Sequence, residues 1–492
     1  MAIKKYIATK DNTITNAFAS NLNTRGTGSN MGFSDSVEVF SIYGQASSAS
    51  LEKSRVLMQF STTAIQTDRT AGTIPASGSV EFYLRLYNAE HPFTLPRNFT
   101  LLVNPVSRSW DEGSGLDMEE YVDDGYSNWI SAASSSSGGI TDWTTQGGDF
   151  HTGAYVAGST LPQYSQSFVG GTEDLEVNVT SLVEEWLAGG SGARSNYGVG
   201  VYLTSSQEGA SENKSFYTKK FFARGTEFFF KRPMIEARWD ASRKDDARNF
   251  YLSSSLASAA DNLNTLVMYN YVRGQLKNIP DVGTSAILLS VYSALGSTKI
   301  NLPVGGNVGA NDDLNVTGGY VATGIYTASF AYTGSATAIY PVWHSGSTEY
   351  HTGSAITVET LLGSNTNPNP RHVSNVTNLK SIYSNDEVAR FRVYVRQKDW
   401  SPTIYTKATS VIKSEIIDNA YYKITRAVDN LEVIPFGTGS TNFTKMSYDA
   451  SGSYFDLDME LLEKDYAYEL YLAYYVNGAY HEQPEVFKFR VE

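Results

Sequence analysis

The residues with the greatest chemical capacity lie together in WDEGSGLDMEEYVDDGYSNW, from Trp110 to Trp129. This stretch holds seven carboxylates (Asp111, Glu112, Asp117, Glu119, Glu120, Asp123 and Asp124) and no Lys, Arg or His. Calcium takes six to eight oxygen ligands from carboxylates, carbonyls and water. Asp111, Glu112, Asp117, Asp123 and Asp124 are therefore the candidate ligands of a structural calcium, the one cofactor such a loop admits. The spacing is not that of an EF-hand, and a solvated acidic loop is the competing reading. The aromatic residues of the stretch and just beyond it, Tyr121, Tyr126, Trp129 and Trp143, could instead form a platform on which sugar rings stack.

Catalytic chemistry finds little support. A glycosidase needs two carboxylates about 5–9 Å apart across a cleft, and in a loop this acidic some pair meets that distance by chance. Neither a G-x-S-x-G elbow nor an H-E-x-x-H helix is present. The Gly-rich VGGNVGAND lacks the lysine and helix that grip a phosphate. His344 and His351, with Glu349 between them, could hold a metal, but loop histidines are more often solvated. No catalytic residue is assigned, and the chain is expected not to be an enzyme.

Composition narrows the class further. A length of 492 residues exceeds one core and implies two to four domains. With no cysteine, disulfides and thiolate chemistry are excluded. A net charge of −13 opposes nucleic acid and anionic membranes. No apolar run is long enough to span a bilayer, and MAIKKYIATKDNTITNAF has no apolar segment behind its basic pair, so neither membrane insertion nor secretion is expected. Aromatics at 13%, with 33 tyrosines, suit sheets and contact surfaces.

The elements that must position these residues read as strands, because the dominant hydrophobic period is two. In SVEFYLRLY, Val80, Phe82, Leu84 and Leu86 face one way, while Glu81, Tyr83, Arg85 and Tyr87 face the other. FRVYVRQ, YAYELYLAYYV and VFKFRV alternate likewise, each predicting one buried and one wet face. TSLVEEWLAGG is the clear helix: Leu182, Val183, Trp186 and Leu187 share a face, Ser181 and Glu184 form a capping box, and Gly189–Gly190 stop it. LASAADNLNTL is a weaker helix candidate, equally readable as loop. Breaks in the pattern divide the chain at about residues 240 and 370, giving blocks 1–240, 241–370 and 371–492. The fold class expected is all-β and multidomain.

Several motifs in the first block carry a resemblance. KDNTITN, RGTGSNMG, SRVLMQF, GSVEFYLRLYNA, VSRSWDEGSG, NVTSLVEEWLAGG with YGVGVYL, and KRPMIEARW follow one another as in DNRLRE-type modules. That resemblance implies a jelly-roll β-sandwich over 1–240, related to carbohydrate-binding modules, in which Trp110 and Glu112 belong to the fold. GGYVATGIYTASFAYTG resembles the late strands of an immunoglobulin-like sandwich, which is expected for 241–370 and again for 371–492. As a whole the chain is similar to structural proteins of marine T4-like tailed phages that infect cyanobacteria. NFYLSSSLASAADNLNTLVMYNYVRGQLKNIP and RFRVYVRQKDWSPTIYT carry that likeness.

The resemblance implies a non-enzymatic structural or accessory protein of the virion, assembled in the host cytoplasm. Its partners would be other capsid, neck or tail proteins, with many copies or a homo-oligomer on each particle. The alternative is a virion adhesin that binds host surface carbohydrate through the first sandwich.

Overall fold

Alternating apolar residues and β-branched runs make antiparallel strands the dominant regular structure of this chain. The computed structural model describes residues 2–91, 96–116, 126–134, 139–152, 164–209, 213–309, 313–360, 370–398 and 414–492. The architecture is all-β and multidomain. Two compact units divide it, Ala2–Asp240 and Ala241–Glu492. The break expected near residue 370 falls inside the second unit.

In the first unit the strands are β1 (Ile3–Thr15), β2 (Ser36–Tyr43), β3 (Leu51–Phe60), β4 (Glu81–Leu86), β5 (Phe99–Pro105), β6 (Ser131–Ser134), β7 (Ile140–Asp142), β8 (Tyr164–Phe168), β9 (Leu175–Asn178), β10 (Val199–Leu203), β11 (Phe216–Phe222) and β12 (Met234–Arg238). Two helices, α1 (Thr62–Thr70) and α2 (Thr180–Ala188), accompany them. The main sheet runs β8-β5-β10-β3-β1-β12-β4-β9, with β2 joining β3 to β11. Strand β1 serves both layers: Ile3–Ile7 pair with β12, and Ala8–Thr15 pair with β3 after a register shift at Ala8/Lys10. Such a bulge bends the strand and lets one sheet fold over on itself as a sandwich. The far ends meet through Gln166 of β8, whose amide donates to the Asp174 carbonyl and accepts from the Glu176 backbone N–H.

The second face of β4 departs from expectation. Phe82, Leu84 and Leu86 are buried as predicted, but Arg85 and Tyr87 are buried too. Neighbouring strands bring Glu236 and Arg238 of β12 beside Arg85, and Lys5 of β1 beside Glu236. The face read as wet thus carries an enclosed ladder of ions. Helix α2 buries Leu182, Val183 and Trp186 and stops at Gly189 and Gly190, both with positive φ. Its capping box does not form. Val179 is the N-cap, Ser181 bonds the Tyr164 hydroxyl, and Glu184 grips Arg69 of α1. Packing between the helices outcompetes the local cap.

In the second unit, strands Asn264–Tyr269, Ile287–Tyr292, Val316–Ala322, Ile325–Phe330 and Ala338–Ser345 form one sheet over a core that includes Phe250, Leu289, Tyr326, Phe330 and Trp343. The weaker helix candidate gives only a 3-10 turn, Ala259–Asp261, because Asn262 closes a loop by bonding the Ser254 N–H and the Ser258 carbonyl. Beyond residue 370, a four-stranded sheet (including Val388–Gln397 and Gly452–Asp458) faces a six-stranded one (including Ala420–Arg426, Ala467–Val476 and Phe487–Val491). Aromatic rings fill the space between them, Tyr422 stacking on Phe455 at 4.0 Å and Phe391 lying 5.7 Å from Phe489. The alternation read in FRVYVRQ and YAYELYLAYYV is present, with Phe391, Val393 and Val395, and Tyr468, Leu470, Leu472 and Tyr474, all buried.

Candidate functional site

The acidic turn follows β5, and strand β1 determines what it can do. β1 breaks its alternation at Asp11-Asn12-Thr13, three consecutive fully buried polar residues. A buried polar side chain needs a hydrogen-bond partner: Asn12 finds it in the turn, Thr13 in the Glu38 N–H of β2, and Asp11 in the Arg224 N–H. Asn12 donates to Ser127 and accepts from the Met31 N–H. The Asp11 N–H donates to Glu112 Oε1 at 2.9 Å, and an Asp11 carboxylate oxygen accepts from the Arg224 N–H. Burial and the neighbouring Glu112 charge push the Asp11 carboxyl up to about 7, although the Arg224 amide works against that shift.

Glu112 meets Arg224 in a bidentate pair, with Arg224 Nε 3.0 Å from Oε1 and a terminal nitrogen 2.9 Å from each oxygen. A carboxylate so occupied does not fit a calcium shell, and Glu112 is corrected from metal ligand to structural anchor. Asp111 Oδ2 accepts from the Ser134 N–H at 3.0 Å, and the Asp111 backbone bonds Ala132 and Ser127. Asp117, Asp123, Asp124 and Tyr121 lie outside the described residues. Among the described residues no three acidic or imidazole groups converge as metal ligands.

The aromatic platform is also corrected. Trp129 is 6% exposed and Trp143 is 5% exposed; both join Trp110, Ile14, Leu57 and Val106 in a core cluster. The Trp143 indole N–H donates to the Asn128 carbonyl, and Trp110 donates to Tyr197. Trp129 packs against Gly147, where a Cβ would stand 2.8 Å from the ring. Its ring also meets the Arg55 guanidinium, itself paired with Glu208 and bonded to the Gly147 carbonyl. Only Tyr126, of the four candidates, shows an exposed ring within the described residues. His344 is buried between Ser290 and the Gly346 carbonyl, a satisfied core histidine rather than a ligand or a solvated one.

Exposed rings occur elsewhere on this unit, at positions that sequence reading passed over. Phe228 and Phe229 are 44% and 47% exposed, in the turn before β12, and Phe33 is 60% exposed. Phe228 lines a groove of about 590 Å³ with Asp35, Ser36, Asn88, Ala89, Glu90, Lys220, Phe222 and Lys231. β11 builds its floor: Lys220 and Phe222 face Glu38 and Ser36 of β2, while the Phe222 N–H and the Lys220 carbonyl bond Tyr87 and Ala89 just beyond β4. The FFF run at 228–230 was the available signal, since consecutive large apolar residues in a turn cannot all be buried.

These features define a multidomain β-sandwich protein in which Asp111 and Glu112, the described carboxylates of the acidic stretch, are bonded into the scaffold. No family model matches the chain, and no curated protein matches it. Similar solved structures include a marsupial T cell receptor at 7% identity, covering 47% of this chain and 68% of that one, with a TM-score of 0.16. The Yersinia pseudotuberculosis adhesin InvE is 12% identical, with 47% and 55% covered and a TM-score of 0.14. Chicken CNTN1 FN1-FN3 domains are 9% identical, with 57% and 83% covered and a TM-score of 0.14. This chain thus spans about half the length of the adhesin structure. At such scores these likenesses carry no functional argument.

Proposed function

We propose that this protein is a non-enzymatic structural component of a tailed-phage virion, held on the particle by repeated side-chain contacts. The observation that carries the reading is the hairpin of Ala467–Val476 and Ala479–Glu482. Its turn is Asn477–Gly478, both at positive φ as a tight hairpin requires. Strand Ala479–Glu482 is exposed along its length and, among the described residues, pairs on one side only. Tyr475 of the longer strand and Tyr480 of the shorter one stand exposed opposite each other, with ring centroids 4.8 Å apart. An open edge beside paired tyrosines is what a sheet-to-sheet or subunit contact uses, because tyrosine brings large area at small entropy cost.

The commitment of Asp111 and Glu112 to the scaffold supports a role without catalysis. The resemblance of its motifs to those of marine T4-like phage structural proteins supports the virion context. Light scattering and negative-stain imaging of the purified chain, followed by co-sedimentation with phage heads and tails, test the reading. A discrete oligomer, or saturable binding in many copies, is expected, and Tyr475→Ser with Tyr480→Ser should weaken either. A monomer that binds neither heads nor tails would overturn it.

A further inference from the structure

Resting on the assembly role proposed above for the Asn477–Gly478 hairpin, we infer that strand Ala479–Glu482 pairs antiparallel with the same strand of a second copy of this chain, about a two-fold axis at His481. The register inside the hairpin determines which backbone groups are free to do so. Val476 faces Ala479 across the turn, Tyr475 faces Tyr480, Tyr474 faces His481 and Ala473 faces Glu482. Hydrogen-bonded and non-bonded pairs alternate in such a ladder, and the pair that flanks a two-residue turn is bonded. The neighbouring chain fixes the same phase independently. The Tyr475 N–H is turned away, to the Asn419 carbonyl, whereas the Leu472 carbonyl points across and accepts from the Gln483 N–H. Tyr480 and Glu482 therefore turn their N–H and C=O groups to the open side, and among the described residues no strand pairs with them there.

The partner must meet those outward groups with its own, and few registers allow it. Placing Glu482 opposite itself sets two carboxylates face to face and Tyr480 against Pro484, which has no N–H to give. Placing Tyr480 opposite itself sets Glu482 against Gly478, a turn residue at positive φ whose backbone is not extended. Registers slipped further run into Pro484 or the turn. With His481 at the axis, Tyr480 of each copy stands opposite Glu482 of the other. Both pairs then exchange their two backbone bonds, and each Tyr480 hydroxyl comes beside a carboxylate that can accept from it. These side chains are held before any partner arrives: Glu482 lies 3.6 Å from Lys423 Nζ, and the Tyr480 ring rests against Tyr475 and Tyr421.

The contact is also self-limiting. The turn ends the strand on one side and Pro484 ends its donors on the other, so one copy takes one partner and the pairing does not spread along the edge. A ladder this short is weak alone, and many copies on one particle would add to it by avidity.

The chain has no cysteine, so a single introduced thiol reports the register. His481 meets its own copy in a non-bonded pair, where Cα atoms stand about 4.5 Å apart, within disulfide reach. Full-length His481→Cys, oxidised with copper phenanthroline, should form a disulfide-linked dimer at least about tenfold faster than Ala479→Cys, an equally exposed position that this register holds roughly 13 Å from its copy along the strand. In sedimentation equilibrium the native chain should dimerise with Kd of about 100 µM or tighter. Glu482→Lys, which removes the acceptor for Tyr480 and sets a cation beside Lys423, should weaken that dimer about tenfold or more. Equal cross-linking rates at the two positions would overturn the pairing. So would a native chain that stays monomeric at about 100 µM, or a Glu482→Lys chain that dimerises as the native one does. Co-sedimentation with phage heads and tails is read separately: saturable binding by a chain that does not cross-link at position 481 removes this contact and leaves the virion role standing.

Discussion

Replacing Glu236 with Gln should reveal how much the first unit depends on its buried ions. The Glu236 carboxylate is 0% exposed and lies 3.2 Å from an Arg85 nitrogen, 2.7 Å and 3.0 Å from two of Arg238, and 3.9 Å from Lys5 Nζ. Both arginines also reach Glu176, a half-exposed carboxylate on β9, at 3.3 Å and 2.9 Å. The ladder therefore sets three cations against two anions, and the variant leaves three against one. Breaking a buried pair by removing one partner costs about 3–5 kcal/mol, because the remaining charge keeps its desolvation penalty. For a unit of this size each kcal/mol moves the melting temperature by roughly 2–4 °C, so a fall of about 10 °C is expected.

Five of the seven tryptophans (Trp110, Trp129, Trp143, Trp186 and Trp239) lie in this unit, so urea unfolding followed by indole fluorescence mainly reports it. Lys5→Met offers the internal control. Burial pushes the Lys5 ammonium down to about 8, partly opposed by Glu236 and helped by the arginine charges. Removing that cation from the Glu236→Gln background should recover part of the loss. A cost below about 1 kcal/mol for Glu236→Gln, or no recovery on adding Lys5→Met, would refute the view that charge balance holds this layer. The pH dependence carries the same signature. Burial would raise the Glu236 carboxyl, but Arg85, Lys5 and Arg238 overcome it and hold it at about 2 against an ordinary 4.5. Its stabilisation is complete above pH 4.5 and disappears as pH falls towards 2.

Further outcomes follow from other buried groups. Asp11, raised to about 7 from 3.8, binds more protons folded than unfolded across that window, so stability should fall as pH rises through it. Asp11→Asn should flatten that slope and raise the urea midpoint at pH 8 relative to the native chain. Asp245, likewise raised to about 7 by burial with Asp449 and Asp246 adding to the shift, should make the second unit melt higher at pH 5.5 than at pH 8, a difference that Asp245→Asn should abolish in calorimetry. Gly198→Ala should cost more than about 2 kcal/mol in urea unfolding, since φ is +85° and a Cβ would stand 1.9 Å from the Met58 carbonyl oxygen.

How much of this could be read beforehand depends on whether the controlling interaction is local. Strand identity is a property of neighbours two residues apart, and Phe391, Val393 and Val395 or Tyr468, Leu470 and Leu472 announce it. The break at Asp240 was marked by a strand followed by the charged SRKDDARN. Helix α1 escaped because it buries a single apolar side chain, Ile65, and is tied down by partners distant in sequence: Asp68 accepts from Lys4 and Tyr6 of β1, and Arg69 pairs with Glu184, 115 residues away. The capping box at Ser181 failed for the same reason: Glu184 had a stronger partner that no local window contains.

The site residues show the limit most clearly. Trp129 and Trp143, set among serines and glycines, read as exposed rings; the slot that buries Trp129 exists only because Gly147 lacks a Cβ and Arg55 reaches over from β3. The seven carboxylates stand out by their density, yet the two described ones are taken up by the fold, Glu112 by the Arg224 fork and the Asp11 N–H, and Asp111 by the Ser134 N–H. Density of charge in sequence is thus a poor guide to the chemistry of Asp111 and Glu112, which pair with the donors that the fold presents. The groove at Phe228 is the converse case. Its walls come from residues near 35, 88, 220 and 230, none notable for spacing, and they form one groove only when β11 is laid between β2 and the end of β4. Lys219 sits at the centre of that register, buried, with its ammonium held by Asn88 and by the carbonyls of Gly171 and Glu173.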